Sequence, residues 1–331
     1  MEKKTTPFIT VIIAAYNRKA FLKEAIASAL DQTLPRSKYE IVVIKNFRDK
    51  DIDSYIKKNH LKSVLSNTAS NGGFIIDAFK KSRGDVICFL DDDDKFTRDK
   101  LQHVYAEFEN DPKLVFYHNN YKVINYRGRI IESRNDKNRY ANVKKSKFIE
   151  ASFNNSSISI RRNLLSNNIS TWEKAKLSID TLSLALAVKN GGGIKFSNEE
   201  LTLYRIHDSN SSLKKTMEES LSEFIDRKQA IERRFCEVSS LFCKIVIGSD
   251  FESEFKKFSI EDKLKYKIYS VKRAEKKWLP TLGEYLWLSK YLDRNSLILV
   301  LISILPVYFR KKVIAHIMRV RHSGVASIQD R

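Results

Sequence analysis

The feature that most limits what this chain can fold into is its alternation of unbroken apolar runs with segments of helical period. Residues 9–14 form a continuous β-branched run, the pattern of a strand buried on both faces. Behind it Phe21, Leu22, Ala25, Ile26, Ala29 and Leu30 recur at helical spacing. The unit then repeats: 39–44 predicts a second buried strand, 51–59 a short polar helix and 64–66 a short strand. A third helix over 73–82 and a buried strand over 86–90 come next. They are followed by a helix over 98–110, a strand over 114–117 and a hairpin over 122–132 turning at Arg127-Gly128. Such units predict an α/β fold, a mainly parallel sheet flanked by helices. Ligands of these sheets bind beyond the carboxyl ends of the strands. Three places qualify: residues 15–17, residues 45–47 and the acidic run from Asp91.

The acidic run carries the most chemistry. Asp91, Asp92, Asp93 and Asp94 stand side by side directly after a buried strand, where like charges repel and raise one another's pKa. A divalent cation bound to a nucleotide diphosphate resolves that conflict, because hard carboxylate oxygens suit Mg2+ or Mn2+. The plainer alternative is a solvated loop that also caps the helix starting near Arg98. The position at the end of a sheet strand favours the cation.

With these residues in place, the chain closely resembles the family-2 glycosyltransferases, which have the GT-A fold. The resemblance rests on residues 9–18 (ITVIIAAYNR), on 27–33 (ASALDQT), on Asn71-Gly72-Gly73 and on 84–94 (GDVICFLDDDD). It extends to about Leu213 and implies an inverting transfer from a nucleotide-sugar donor. By that resemblance the donor nucleotide lies against Ala14, Tyr16, Asn46, Asp91 and Asp92, with Tyr16 stacked on the base. Asp93, the last carboxylate of the DxD motif, then holds the metal. Residues 155–162 resemble the strand and turn that line the family's acceptor site. Asp180, which opens an apolar helix, matches the catalytic base, although the acidic partner usually preceding it is here Ile179; a helix cap is the alternative. Residues 204–212 resemble the late signature whose histidine, here His207, joins the metal. One departure stands out. The acidic pair expected after the second strand is replaced by Lys45-Asn46, so that Asn46 alone can offer a donor and an acceptor to a base. Gly191-Gly192-Gly193 only superficially resembles a phosphate loop and reads as a helix C-cap and turn before a strand over 194–197.

Beyond about Leu213 the pattern becomes helical, aromatic and basic, which divides the chain into a catalytic domain over 1–213 and a helical region over 214–331. The formal net charge of +20 calls for a polyanionic partner: nucleic acid, an anionic membrane surface or phosphorylated substrates. No nucleic-acid motif supports the first. Residues 297–309 are strongly apolar, interrupted only by Ser303 and Pro306, and Arg310, Lys311, Lys312, Arg319 and Arg321 follow. The run falls short of the roughly 18–20 apolar residues that span a bilayer, and the first seven residues lack the apolar stretch of a signal peptide. The expectation is a helix lying on the cytoplasmic face of the membrane beside anionic lipid, serving a glycan or lipid-linked acceptor. Burial against the catalytic domain or a partner chain is the alternative. Cys88, Cys236 and Cys243 have no metal-ligand spacing and read as reduced thiols. The rival to an enzyme is a nucleotide-binding protein of the same fold without catalysis, motivated by Lys45-Asn46 and the incomplete pair at Asp180.

Overall fold

The computed structural model of the protein describes residues 8–133, 154–176, 178–207 and 219–329, with 320–329 as backbone alone. The chain divides into two compact units, Met1–His207 and Asp208–Arg331. The boundary expected near Leu213 lies outside the described residues.

The first unit is built on a nine-stranded mixed sheet in the order β3-β2-β1-β4-β8-β6-β9-β5, with β7 paired to β6. Its strands are β1 (Ile9–Ala15), β2 (Tyr39–Lys45), β3 (Lys62–Leu65), β4 (Val86–Asp91), β5 (Lys95–Phe96), β6 (Leu114–Ile124), β7 (Ile130–Ser133), β8 (Ile158–Arg161) and β9 (Gly193–Arg205). The pairs β1–β2, β1–β4, β2–β3 and β6–β9 are parallel, and β8, β5 and β7 join antiparallel. The helices are α1 (Leu22–Leu30), α2 (Lys50–Lys58), α3 (Asn71–Phe79), α4 (Lys100–Asn110), α5 (Arg162–Ser166), α6 (Ile169–Lys174) and α7 (Ile179–Lys189).

The unbroken apolar runs follow from burial on both faces of the sheet. Ile9, Val11 and Ile13 pack with Ile41, Val43, Cys88 and Leu90 on one face, joined by Leu22, Ile26, Ile52, Leu101 and Phe108 from α1, α2 and α4. Each such side chain contributes about 1.5–3 kcal/mol when fully buried. Ile12, Ile44 and Phe89 are equally buried on the other face, where α3 lies against β1 and β2 and the Trp172 ring stands 6.0 Å from Phe89.

Because β1 leads through α1 to β2 on one side, while β4 lies on its other side, the strand order reverses between β1 and β4. That reversal opens a crevice at their carboxyl ends. Asn71-Gly72-Gly73 open α3 beside it, and the glycines are needed for close approach. A Cβ on Gly72 would lie 1.9 Å from the Trp172 carbonyl oxygen, while the Gly72 N–H donates to Ala175 O at 2.9 Å. Gly191 ends α7 at φ 64°, so the tri-glycine is a C-cap and turn as expected. Strand β9 runs well past the expected 197 and ends beside the acidic turn.

The second unit contains α8 (Leu221–Ile245), α9 (Glu252–Tyr269), α10 (Leu282–Leu288), α11 (Arg294–Ile304) and α12 (Val307–Gln329). A capping box between Ser220 and Glu223 starts α8. The apolar run 297–309 is not one helix. It breaks at Leu305, extended at ψ 145°, because Pro306 disfavours helical backbone before it. Helix α11 is apolar on both sides, with Leu299, Val300 and Ile302 packed against buried apolar clusters. Ser296 and Ser303 face inward, whereas Leu297, Ile298, Leu301 and Ile304 are about half exposed, from 44% to 59%. Tyr308 and Phe309 continue the apolar surface onto α12. Of the expected basic residues, Arg310 is instead buried and donates to the carbonyl of Lys267, while Lys311, Lys312 and Arg319 are exposed. Among the described residues no helix is long and apolar enough to cross a membrane. The three cysteines are free, Cys88 and Cys236 buried and Cys243 half-buried.

Candidate active site

The turn after β4 supplies the acidic centre. The Asp94 N–H donates back to Asp91 O at 3.3 Å, so the chain doubles over and brings the carboxylates of Asp91, Asp93 and Asp94 within 4.8 Å of one another. Burial lifts the Asp91 carboxyl to about 7, with the neighbouring charge of Asp93 adding to the effect. Burial and the same neighbour push Asp94 well above the ordinary carboxylate range. A trio of converging carboxylates, two of which, Asp91 and Asp94, are pushed above the ordinary carboxylate range, fits a divalent Mg2+ or Mn2+ ion.

The rest of the sheet holds this turn. Arg205, at the end of β9, donates from its backbone N–H to Asp94 Oδ1 at 2.9 Å and from Nε to Asp93 O at 2.8 Å. Its guanidinium also pairs with Glu24 at 2.7 Å and lies 4.2 Å over the Phe21 ring, so a fully buried arginine is satisfied on every side. Two residues on, His207 Nε2 stands 3.1 Å from Asp93 Oδ2, outside the tight carboxylate trio. Ser156 donates to Asp94 Oδ2 at 2.6 Å and accepts from the Asp91 N–H at 3.0 Å. Behind Ser156 lies the fully buried Lys100. Its ammonium donates to Ser156 O at 3.0 Å and to Asn119 Oδ1, and burial lowers its pKa to about 7.

Asp92 does not join the trio. Its side chain is 2% exposed and is gripped by Arg18, whose Nε donates to Asp92 Oδ2 at 3.2 Å. Burial raises Asp92 to about 7 in spite of that partner. Arg18 also reaches Asp93 Oδ2 at 2.8 Å. Arg18, Arg205 and Lys100 were not singled out individually by sequence; Asp94 was read only as a member of the acidic run, and Ser156 only within residues 155–162.

On the β1 side, Ala14 is half-buried and registers with Ile44 and Asp91. Tyr16 is 45% exposed and packs against the Phe74 ring in a T-shaped arrangement at 5.5 Å between centroids. Asn46 turns toward the β1 turn. Its Oδ1 accepts from the Asn17 N–H at 2.8 Å and its Nδ2 donates to Asn17 Oδ1 at 2.7 Å. This lock holds Asn17 at φ 57°, a left-handed conformation that asparagine tolerates. Lys45 is buried against Asp53 at 2.7 Å and Phe47 O at 2.8 Å, so its charge is neutralised.

Asp180 is the second residue of α7 and not its cap. The cap position belongs to Ser178, which makes no side-chain capping bond and sits at φ 53°, a strained conformation for serine. The Asp180 carboxylate accepts from the Thr181 N–H at 2.7 Å, and burial raises it to about 6. Its charge contributes to the elevation of Asp91, which places it within electrostatic reach of the acidic turn. In the 155–157 turn beside the site, the buried Asn155 Oδ1 and Ser157 Oγ have no hydrogen-bond partner among the described residues.

Residues 10–168 match the family model for glycosyl transferase family 2. An uncharacterized glycosyltransferase of Rickettsia conorii is 36% identical over 134 residues, covering 38% of this chain and 21% of the relative. The chain spans about a fifth of the length of the first curated relatives it matches, 21%, 21% and 20%. Among solved structures, S. aureus TarS 1-349 in complex with UDP-GlcNAc superposes with TM-score 0.56 at 19% identity, over 78% of this chain and 72% of that one. The mannosyltransferase PcManGT from Pyrobaculum calidifontis, in complex with GDP-Man and Mn2+, gives TM-score 0.51 at 13% identity over 93% and 87%. These similarities establish the GT-A fold.

Proposed function

We propose that this chain, which belongs to glycosyltransferase family 2 through its residues 10–168, moves a sugar from a nucleotide-diphosphate donor to an acceptor hydroxyl with inversion. The observation that carries the reading is the Asp91–Asp93–Asp94 trio at the strand-order reversal, with Asp180, a half-buried carboxylate raised to about 6, within electrostatic reach of Asp91. Asp93, with Asp91, Asp94 or His207 beside it, would hold Mn2+ or Mg2+, which when bound stabilises the charge on the departing diphosphate. Tyr16 stacks the base. Asn46 acts through Asn17, fixing the turn that carries Tyr16, rather than by reading the base edge itself. Asp180 takes the proton of the acceptor hydroxyl as that oxygen attacks the anomeric carbon; the bond to the diphosphate breaks, and the nucleoside diphosphate leaves. A group at about 6 is ionised at neutral pH yet still basic enough for the transfer.

The exposed apolar face of α11 supports a second element of the reading, docking on an anionic membrane surface by the helical unit. Leu297, Ile298, Leu301 and Ile304 present apolar area to solvent, and Lys311 and Lys312 follow on the next helix. A lipid-linked or membrane-borne glycan acceptor is the substrate that such docking would serve. The test of the reaction is turnover against a panel of nucleotide sugars with Mn2+. Release of nucleoside diphosphate coupled to a glycosylated product supports it. Tight nucleotide binding with no product from any donor supports the rival, a fold that binds without catalysis.

A further inference from the structure

The turn between β1 and α1 delivers a cation to the acidic centre. Asn17, locked by Asn46, sends the chain into Arg18, whose guanidinium bridges two neighbouring carboxylates. It holds Asp92 through two nitrogens and Asp93 Oδ2 through a third at 2.8 Å. Asp93 Oδ2 is the oxygen that His207 also approaches. The two arginines at the site differ in kind. Arg205 is fully buried and committed to backbone carbonyls and Glu24, so it is a fixed strut. The side chain of Arg18 is 34% exposed and, among the described residues, its hydrogen bonds and ion pairs run only to Asp92 and Asp93. A divalent ion that takes Asp93 competes directly with Arg18 for the same oxygen. It leaves the guanidinium with Asp92 and a free edge at the crevice where a donor diphosphate lies. A planar fork with two free N–H groups is suited to a phosphate.

Resting on the reading that Asp93 holds the cation, we propose that Arg18 occupies the cation's place on Asp93 in the resting protein and passes to the donor diphosphate when the cation binds. Arg18 is thus a positioning residue that couples the two ligands. Metal alone binds weakly because it must displace an ion pair, and metal with nucleotide binds well because the displaced guanidinium gains a new partner.

Mn2+ binding to the full chain, measured by calorimetry with and without saturating UDP, and in parallel GDP, tests this. In Arg18→Gln, Mn2+ alone should bind roughly two- to fivefold more tightly than in the unsubstituted protein, the gain from removing one partly exposed ion pair. The enhancement of Mn2+ affinity by nucleotide should fall by at least a similar factor. Arg18→Lys, which keeps the charge but not the fork, should lie between the two. If Arg18→Gln leaves both quantities unchanged, or weakens the binding of Mn2+ alone, the coupling role is overturned while the metal assignment stands. If Mn2+ binds Asp93→Asn as tightly as the unsubstituted protein, the metal assignment itself fails and the role of Arg18 falls with it.

Discussion

Asp180→Asn separates a catalytic carboxylate from a structural one, because the two roles predict stability changes of opposite sign. Burial lifts this carboxyl from its ordinary 3.8 to about 6. The folded state therefore disfavours the ionised form, and a rise of that size costs at most about 3 kcal/mol. The side chain is half-buried, so water at its open side reduces the cost to about 1–2 kcal/mol. The sign follows from the direction of the shift. Below pH 4 the carboxyl is protonated in both folded and unfolded chains and there is no penalty. Between pH 4 and 6 the penalty grows, and above 6 it is complete. Asparagine mimics the protonated form and still accepts from Thr181. The variant should therefore melt above the unsubstituted protein at pH 8, by about 2–4 °C per kcal/mol for a unit of this size, and level with it near pH 4. Its turnover should fall by roughly 10² to 10⁴ with donor affinity unchanged, and the unsubstituted enzyme should lose activity as pH drops through about 6. A variant that melts lower at pH 8, or loses donor affinity while keeping single-turnover chemistry, would identify Asp180 as a structural acceptor and refute this reasoning.

Three further outcomes are expected. Gly72→Ala places a methyl 1.9 Å from the Trp172 carbonyl oxygen and should destabilise the first unit by about 3 kcal/mol, read by urea unfolding. Tyr16→Ala removes the exposed ring at the β1 turn and should weaken nucleoside diphosphate binding by about 1–3 kcal/mol in calorimetry, with little change in melting temperature. The double change Leu301→Asp and Ile304→Asp alters only exposed positions and should abolish co-sedimentation with anionic vesicles while leaving the helical circular dichroism intact; unchanged co-sedimentation would reassign the exposed apolar face of α11.

The sheet was legible because its central strands are buried on both faces, so residues 9–14, 39–44 and 86–90 announce themselves as unbroken apolar runs. Strand β9 was only partly legible. Asn198-Glu199-Glu200 interrupts the apolar pattern where the register with β6 shifts, and the strand resumes at Leu201 to deliver Arg205. The acidic run was visible, but not which of its members converge. That depends on the turn hydrogen bond from Asp94 to Asp91, which sends Asp92 to Arg18 instead. Arg18 itself is the residue after a recognisable turn, and its partners lie more than seventy positions away, a pairing that no local pattern encodes. Nothing local in the sequence marks Lys100, and only the meeting of β6, β9 and the 155–157 turn explains its burial. The break at Pro306 could have been read from the sequence by taking the proline as a stop rather than as an interruption.

The most direct test of the central claim is nucleotide-sugar turnover with Mn2+, with Mg2+ and with chelator, measured for the unsubstituted protein and for Asp93→Asn. The account predicts cation-dependent transfer that chelator abolishes, and a silent Asp93→Asn variant that keeps its melting transition. Near-normal turnover by Asp93→Asn, or full activity in chelator, would contradict it.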